Sequence, residues 1–439
     1  MITKETIIDG VSYLLVDIVP VSQKSGNFYL GKIQASDLVQ IFTVSPTDYD
    51  INKNVSLSKS FPSDEDYYNN VLHNMRARKE KQGFQRNLKS ERAGQIKKFL
   101  ETEEYPFFPN TIIASCDLIN DAFDTNSRYE DFKNTPNKPD NLGFVYKDQE
   151  TGWWKLLIPK KKKSVLVIDG QHRLEGLKRW LEEHKEDYEV LVSFIIGYNR
   201  SVIAQQFYTI NYEQKPVNKS LLLHLTAEFS EELNETTFLH NIVKLLNEHS
   251  TSPLQKRIKM LGVTPPELGF EERKLLSVSQ AFMIDRMARF INSNSTSSKL
   301  YPPIFLHYFR DKDYHIHIIR FLICYLSAIK EMRNDWEDPA NSVLSKSMGI
   351  GAFLTALHTI FPIMFVRKWN LNLNDIKEVN INTFKDILSG IENINFEIFS
   401  GGGSLGTMNK IKESILENIK YKERGEREEF KKWLEEQKK

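Results

Sequence analysis

The apolar periodicity of the chain changes at about residue 218. Before that point, short β-branched and aromatic runs bounded by turn residues read as strands. After it, apolar residues recur at helical spacing. The switch predicts an α/β (α+β) mixed-sheet domain over residues 1–217, followed by a mainly α-helical domain over residues 218–439. With 439 residues, 40% of them hydrophobic, the chain has enough apolar material for two cores.

Within the first part, strands are expected at 13–19 and 27–33, a short helix at 35–42, a helix at 90–100 and a buried strand at 111–116. Residues 121–142 are polar and read as a long loop, and 143–158 read as a hairpin. Strand 164–168, helix 174–183 and strand 189–196 have the pattern of a βαβ unit, in which two parallel strands flank a crossover helix. In the second part, helices are expected near 220–229, 238–248, 277–292, 315–333, 350–361 and 383–391. The tail 411–439 alternates basic residues with Glu and reads as a solvated helix.

Charge excludes a chain-wide attraction to nucleic acid, because Lys and Arg (59) nearly equal Asp and Glu (58). The one concentrated basic segment is 76–98, so any DNA-facing patch must be local, with Arg86, Lys89, Arg92, Lys97 and Lys98 as its candidates. Two distant cysteines, Cys116 and Cys324, argue against a disulfide framework or a zinc site and for a reduced, cytoplasmic protein. His224, His240, His315 and His317 show no paired ligand spacing and are expected to be structural or exposed. The first residues lack a secretory pattern. The apolar windows 316–329 and 350–366 are too short to span a bilayer and read as buried helices, so no membrane partner is expected.

The segment that carries chemistry is 165–173, Val-Leu-Val-Ile-Asp-Gly-Gln-His-Arg. A strand ending in Asp-Gly and opening a helix presents backbone N–H groups and the positive end of the helix dipole to an anion. Gly170 permits close approach of a ligand, and His172 and Arg173 are the first polar side chains of the helix, Arg173 with a fork that suits phosphate oxygens. Asp169 can cap the helix, hold Arg173 or carry a divalent metal. Gln171 can orient a water but cannot attack as a nucleophile. Asn211, Gln214 and Lys215 follow a later helix and either face the same ligand or form that helix's C-terminus, with Pro216 as a stop. Trp153 and Trp154 offer base stacking, although one of them should point into a core.

The pentapeptide Asp169-Gly170-Gln171-His172-Arg173 resembles the defining motif of DGQHR-domain proteins. These include the DndB-type proteins of DNA phosphorothioate modification systems, and they are similar to the ParB/sulfiredoxin superfamily. Gly83-Phe84-Gln85-Arg86 resembles the upstream Gln-Arg segment of such domains, and residues 210–217 resemble the segment that follows the motif. The resemblance implies a ParB/sulfiredoxin-like sheet domain and a role in DNA modification or phage defence. DNA and a nucleotide are the implied partners. Gly170, His172, Arg173, Arg86, Asn211, Gln214 and Lys215 would bind phosphate, and Asp169 and Gln171 would serve any catalysis. Hydrolysis of a nucleoside triphosphate with Mg2+, ParB-like nuclease chemistry and non-catalytic regulation by DNA binding all stay open at this point. Sulfiredoxin thiol chemistry is not implied, because Gln171 stands where those enzymes carry cysteine.

Overall fold

The computed structural model describes residues 4–24, 26–44, 49–73, 90–214, 218–230, 232–265, 268–292, 301–400 and 405–437, except the side chains of Arg200, Tyr208 and residues 211–214. The chain forms two compact units. The first comprises residues 1–48 and 81–214, and the second comprises 49–80 and 215–439. The stretch 49–80, which a division at residue 217 would leave in the first unit, folds with the second.

In the first unit the strands are β1 (Lys4–Ile8), β2 (Val11–Gln23), β3 (Gly26–Gln34), β4 (Phe42–Thr43), β5 (Ile112–Ser115), β6 (Phe144–Lys147), β7 (Trp154–Pro159), β8 (Val165–Asp169) and β9 (Glu189–Phe194). They form one sheet in the order β4-β8-β5-β9-β3-β2-β7-β6, with β1 paired to β2. Alternation along β2 sends Leu14, Val16 and Ile18 to one face, and Tyr13 and Leu15 to the other. On the first face the helices Ala35–Ile41, Ser90–Thr102 and Gln171–Leu181 contribute Leu38, Leu100, Leu174 and Leu177 to the larger core. On the second face Tyr13, Phe144 and Tyr146 enclose Phe132. Phe132 belongs to the helix Tyr129–Asn134, inside the stretch expected to be loop. Burial of its side chain, worth roughly 1.5–3 kcal/mol, overrides the polar composition around it.

The expected βαβ unit does not form. β5 lies between β8 and β9, antiparallel to β8 and parallel to β9, so the two strands flanking the helix Gln171–Leu181 run in opposite directions. The parallel neighbour of β8 is the two-residue β4. Local pattern identified the elements, but the neighbour of β8 is set by a strand from more than fifty residues upstream.

The second unit is helical, and among the described residues a large core gathers apolar side chains from residue 49 to residue 434. It includes Ile51–Ser58 and Asp64–His73, two helices that the strand-like reading of the early chain misses. The expected solvated tail is instead two packed helices, Leu405–Asn418 and Glu426–Glu436, which bury Ile411, Ile415 and Phe430. The window 350–366 is longer than expected. Ser347–Ile363 continues through a π-helical turn, Met364–Lys368, just after Pro362, whose ring removes a backbone donor. The resulting 22-residue helix is long and apolar enough to cross a bilayer, yet 89% of its most apolar window is buried inside the protein.

Candidate phosphate-binding turn

β8 ends at Asp169, the chain turns through Gly170, and the helix begins at Gln171. Gly170 has φ 95°, ψ 9°, a left-handed conformation that favours glycine. Space demands glycine as well, since a β-carbon there would lie 3.0 Å from Arg173 Nη2 and 3.1 Å from Ile112 Cγ1. Gly170 is the cap residue and supplies no capping side chain, so the capping role considered for Asp169 is not taken up. The Gly170 carbonyl accepts from Leu174 N at 3.0 Å and starts the helical ladder.

Arg173 does not offer its fork outward. Nη1 donates to the Asn110 carbonyl at 2.7 Å and Nη2 to the Thr111 carbonyl at 3.0 Å, while Asp169 Oδ2 lies 3.4 Å from Nη2. The side chain is 18% exposed. Burial lowers the guanidinium pKa from its ordinary value, and the Asp169 carboxylate opposes that effect. Arg173 therefore ties the turn to the chain entering β5. Gln171 is buried and His172 half-buried.

A second helix fixes the turn from behind. A β-carbon on Gly176 would lie 2.5 Å from Ile96 Cγ2 and 3.1 Å from the Ala93 carbonyl, so the helices Ser90–Thr102 and Gln171–Leu181 meet almost backbone to backbone. Arg179 Nη1 donates to the Ser90 carbonyl at 3.1 Å. On the same helix, Arg92 and Lys98 are exposed and make no ion pair among the described residues. Lys97 is different. Its ammonium is paired with Glu183 at 2.6 Å and Glu101 at 3.4 Å.

Arg86, Lys89 and Lys215 lie outside the described residues. Asn211 and Gln214 fall in the last turn of the helix Arg200–Gln214, with their side chains outside the description. Trp153 is 55% exposed, whereas Trp154 packs against the larger core. Lys160 bridges Glu5 and Asp37, and Lys161 pairs with Asp140. Cys116 is buried, and burial pushes its thiol up to about 12, far from a reactive thiolate. Two clefts, of about 830 Å³ in the helical unit and about 270 Å³ beside Tyr198, are lined by residues outside the turn.

Two of the histidines come together in the helical unit. His224 and His240 are buried, and with Glu228 they form a cluster whose ligand-type atoms all lie within 4.8 Å of one another. One signal was available in advance, because His224 and Glu228 are four residues apart on one helix and so share a face.

The first unit is thus a mixed-sheet module that presents a glycine-opened helix start, joined in sequence to a helical unit. The sequence model of the DndB family, described as DNA-sulfur modification-associated, matches residues 21–260, more than half of the chain. The protein belongs to that family. No curated protein and no solved structure matches it.

Proposed function

We propose that the protein is a non-catalytic DNA-binding component of a DNA-sulfur modification system, which receives a backbone phosphate or phosphorothioate at the start of the helix Gln171–Leu181. The observation that carries this reading is the left-handed Gly170 opening that helix without a capping side chain, in a chain of the DndB family. The positive end of the helix dipole attracts an anion there. His172, half-buried at the second position of that helix, is the side chain assigned to the anion. Arg173 holds the turn in shape through the two carbonyls it binds. Arg92 and Lys98, exposed on the neighbouring helix, add backbone contacts.

Hydrolysis of a nucleoside triphosphate with Mg2+ on Asp169 has weaker support, because that carboxylate faces Arg173 and the turn supplies no second one. The nuclease reading meets the same objection.

Titration of the full chain with labelled duplex DNA at several salt concentrations tests the proposal. Affinity should fall steeply with salt, and His172→Ala should weaken it about tenfold or more. Salt-independent binding, or wild-type affinity in His172→Ala, would refute it. A panel of nucleoside triphosphates with Mg2+ separates the readings, since turnover lost in Asp169→Asn would favour the enzymatic one.

A further inference from the structure

In the helical unit, His224 and Glu228 sit on the helix Lys219–Phe229, and His240 on the next helix, Glu235–Glu248. All three side chains are essentially inaccessible to solvent. The His224 and His240 rings meet edge to face, with centroids 5.0 Å apart, and His240 Nε2 lies 3.1 Å from Glu228 Oε1.

The tautomer of His240 follows from its other neighbour. Gln280 lies between His240 Nδ1, at 2.5 Å, and the carbonyls of Met260 and Ser220, the latter at 3.3 Å. Carbonyl oxygens only accept, so the Gln280 amide nitrogen must face them and its oxygen must face Nδ1. Nδ1 then carries the proton and donates to Gln280. This turns the Nε2 lone pair toward a carboxylate oxygen, and two acceptors so close require an electrophile between them. A ring N–H donated to an amide oxygen, with the opposite nitrogen turned to a ligand position, is the usual orientation of a metal-bound histidine.

We propose that His224, Glu228 and His240 bind one divalent first-row transition ion, zinc being the probe of choice, as a structural clip between these two helices. The donor set is two imidazoles and a carboxylate, which suits zinc at bond lengths of about 2.0–2.2 Å. A separation of 3.1 Å is one that two ligand atoms of a single ion span comfortably. Burial excludes substrate, so the role is to hold the fold.

Among the described residues, Lys244 competes with the ion. Its Nζ donates to Glu228 Oε1 at 2.9 Å, and an ammonium so close repels a divalent cation at the same carboxylate. The metal site therefore makes an unusual prediction: removing this lysine strengthens binding.

The test is zinc retention by the full chain after dialysis, followed by titration. Wild-type protein should keep one equivalent and melt at a higher temperature with zinc than with a chelator. His224→Ala and His240→Ala should lose that equivalent. Gln280→Leu, which touches no ligand position, should weaken binding about 10–100-fold. Lys244→Met should bind zinc more tightly than wild type and melt higher in its presence. Substitution of cobalt should give the visible bands of a tetrahedral nitrogen–oxygen site. Because Lys244→Met is a gain of binding, the proposal stays falsifiable even if the histidine variants fail to fold. Folded wild type with no bound zinc, equal retention by His224→Ala, or weaker binding by Lys244→Met would each overturn it in favour of a proton shared between His240 and Glu228. None of these outcomes bears on DNA binding at the turn.

Discussion

Arg173 in the sheet unit and Glu248 in the helical unit are both surrounded by hydrogen-bond partners, but the surroundings differ. Arg173 and Asp169 keep 18% and 34% of their side-chain exposure and tie a turn to the neighbouring chain. Glu248 is 1% exposed and accepts from Tyr49 OH at 2.8 Å, Asn54 Nδ2 at 2.9 Å and Tyr67 OH, so a carboxylate in the core is satisfied by neutral donors. Burial together with the Glu248 charge pushes the Tyr49 hydroxyl pKa well above its ordinary value, which keeps it a donor. At these two places the sheet unit leaves a charged pair partly open to water, and the helical unit seals a carboxylate inside, where it specifies which helices meet.

The contrast can be broken most forcefully at Glu248. Glu248→Ala leaves several buried donors unmatched and should cost roughly 3 kcal/mol or more. Hydrogen exchange should show lost protection in residues 51–73 and 235–248, with the strands β2 and β3 unchanged. Uniform loss across both units would mean that they do not unfold separately.

Acid should act on the same unit. Burial, with Arg289 and Arg427 nearby, pushes buried His358 down to about 3 from an ordinary value near 6.5. A histidine lowered in the folded state contributes its full stability above pH 6.5 and loses it as pH falls toward 3. The loss amounts to about 1.4 kcal/mol per pH unit from this group. Unfolding followed from pH 7 to pH 4.5 should show the helical unit weakening, and His358→Gln should flatten that slope. An unchanged slope would remove His358 as the cause.

On the sheet side, Gly176→Val forces a side chain into Ile96 and should cost about 1–3 kcal/mol. Exchange should speed up in the helices Ser90–Thr102 and Gln171–Leu181 alone, and DNA affinity should fall with it. The smallest effect is expected from Arg173→Lys. An ammonium cannot fork onto both carbonyls, so stability should drop by about 1 kcal/mol while binding persists. Complete loss of binding at unchanged stability would make Arg173 a direct phosphate contact after all.

What was legible in the sequence follows the range of the interactions involved. Periodicity exposes β2, β3, β8 and the helix after Gly170 because each depends on its own residues. The strand-to-helix turn was readable as Asp-Gly, but not its left-handed conformation at Gly170. The inward hold on Arg173 was not, because its acceptors are carbonyls of Asn110 and Thr111, about sixty residues away, and backbone acceptors carry no residue signature. The same holds for β5 separating β8 from β9. The tail looked solvated because Ile411, Ile415 and Phe430 are sparse among charges, and only the core they meet makes them apolar faces. His240 could not be joined to His224 and Glu228 before the packing of two helices was known.

The helical unit is discontinuous in the chain. Tyr49 meets Glu248 across 199 positions, and the strands β5 to β9 of the other unit are made in between. During synthesis the helices Ile51–Ser58 and Asp64–His73 leave the ribosome long before any partner exists for Tyr49, Tyr67 or Tyr68. A nascent chain must carry these aromatic faces uncovered while the sheet assembles around the gap. Shortening the chain at residue 217 would strand them permanently, so a sheet fragment that stays in solution requires excision of residues 49–80 as well.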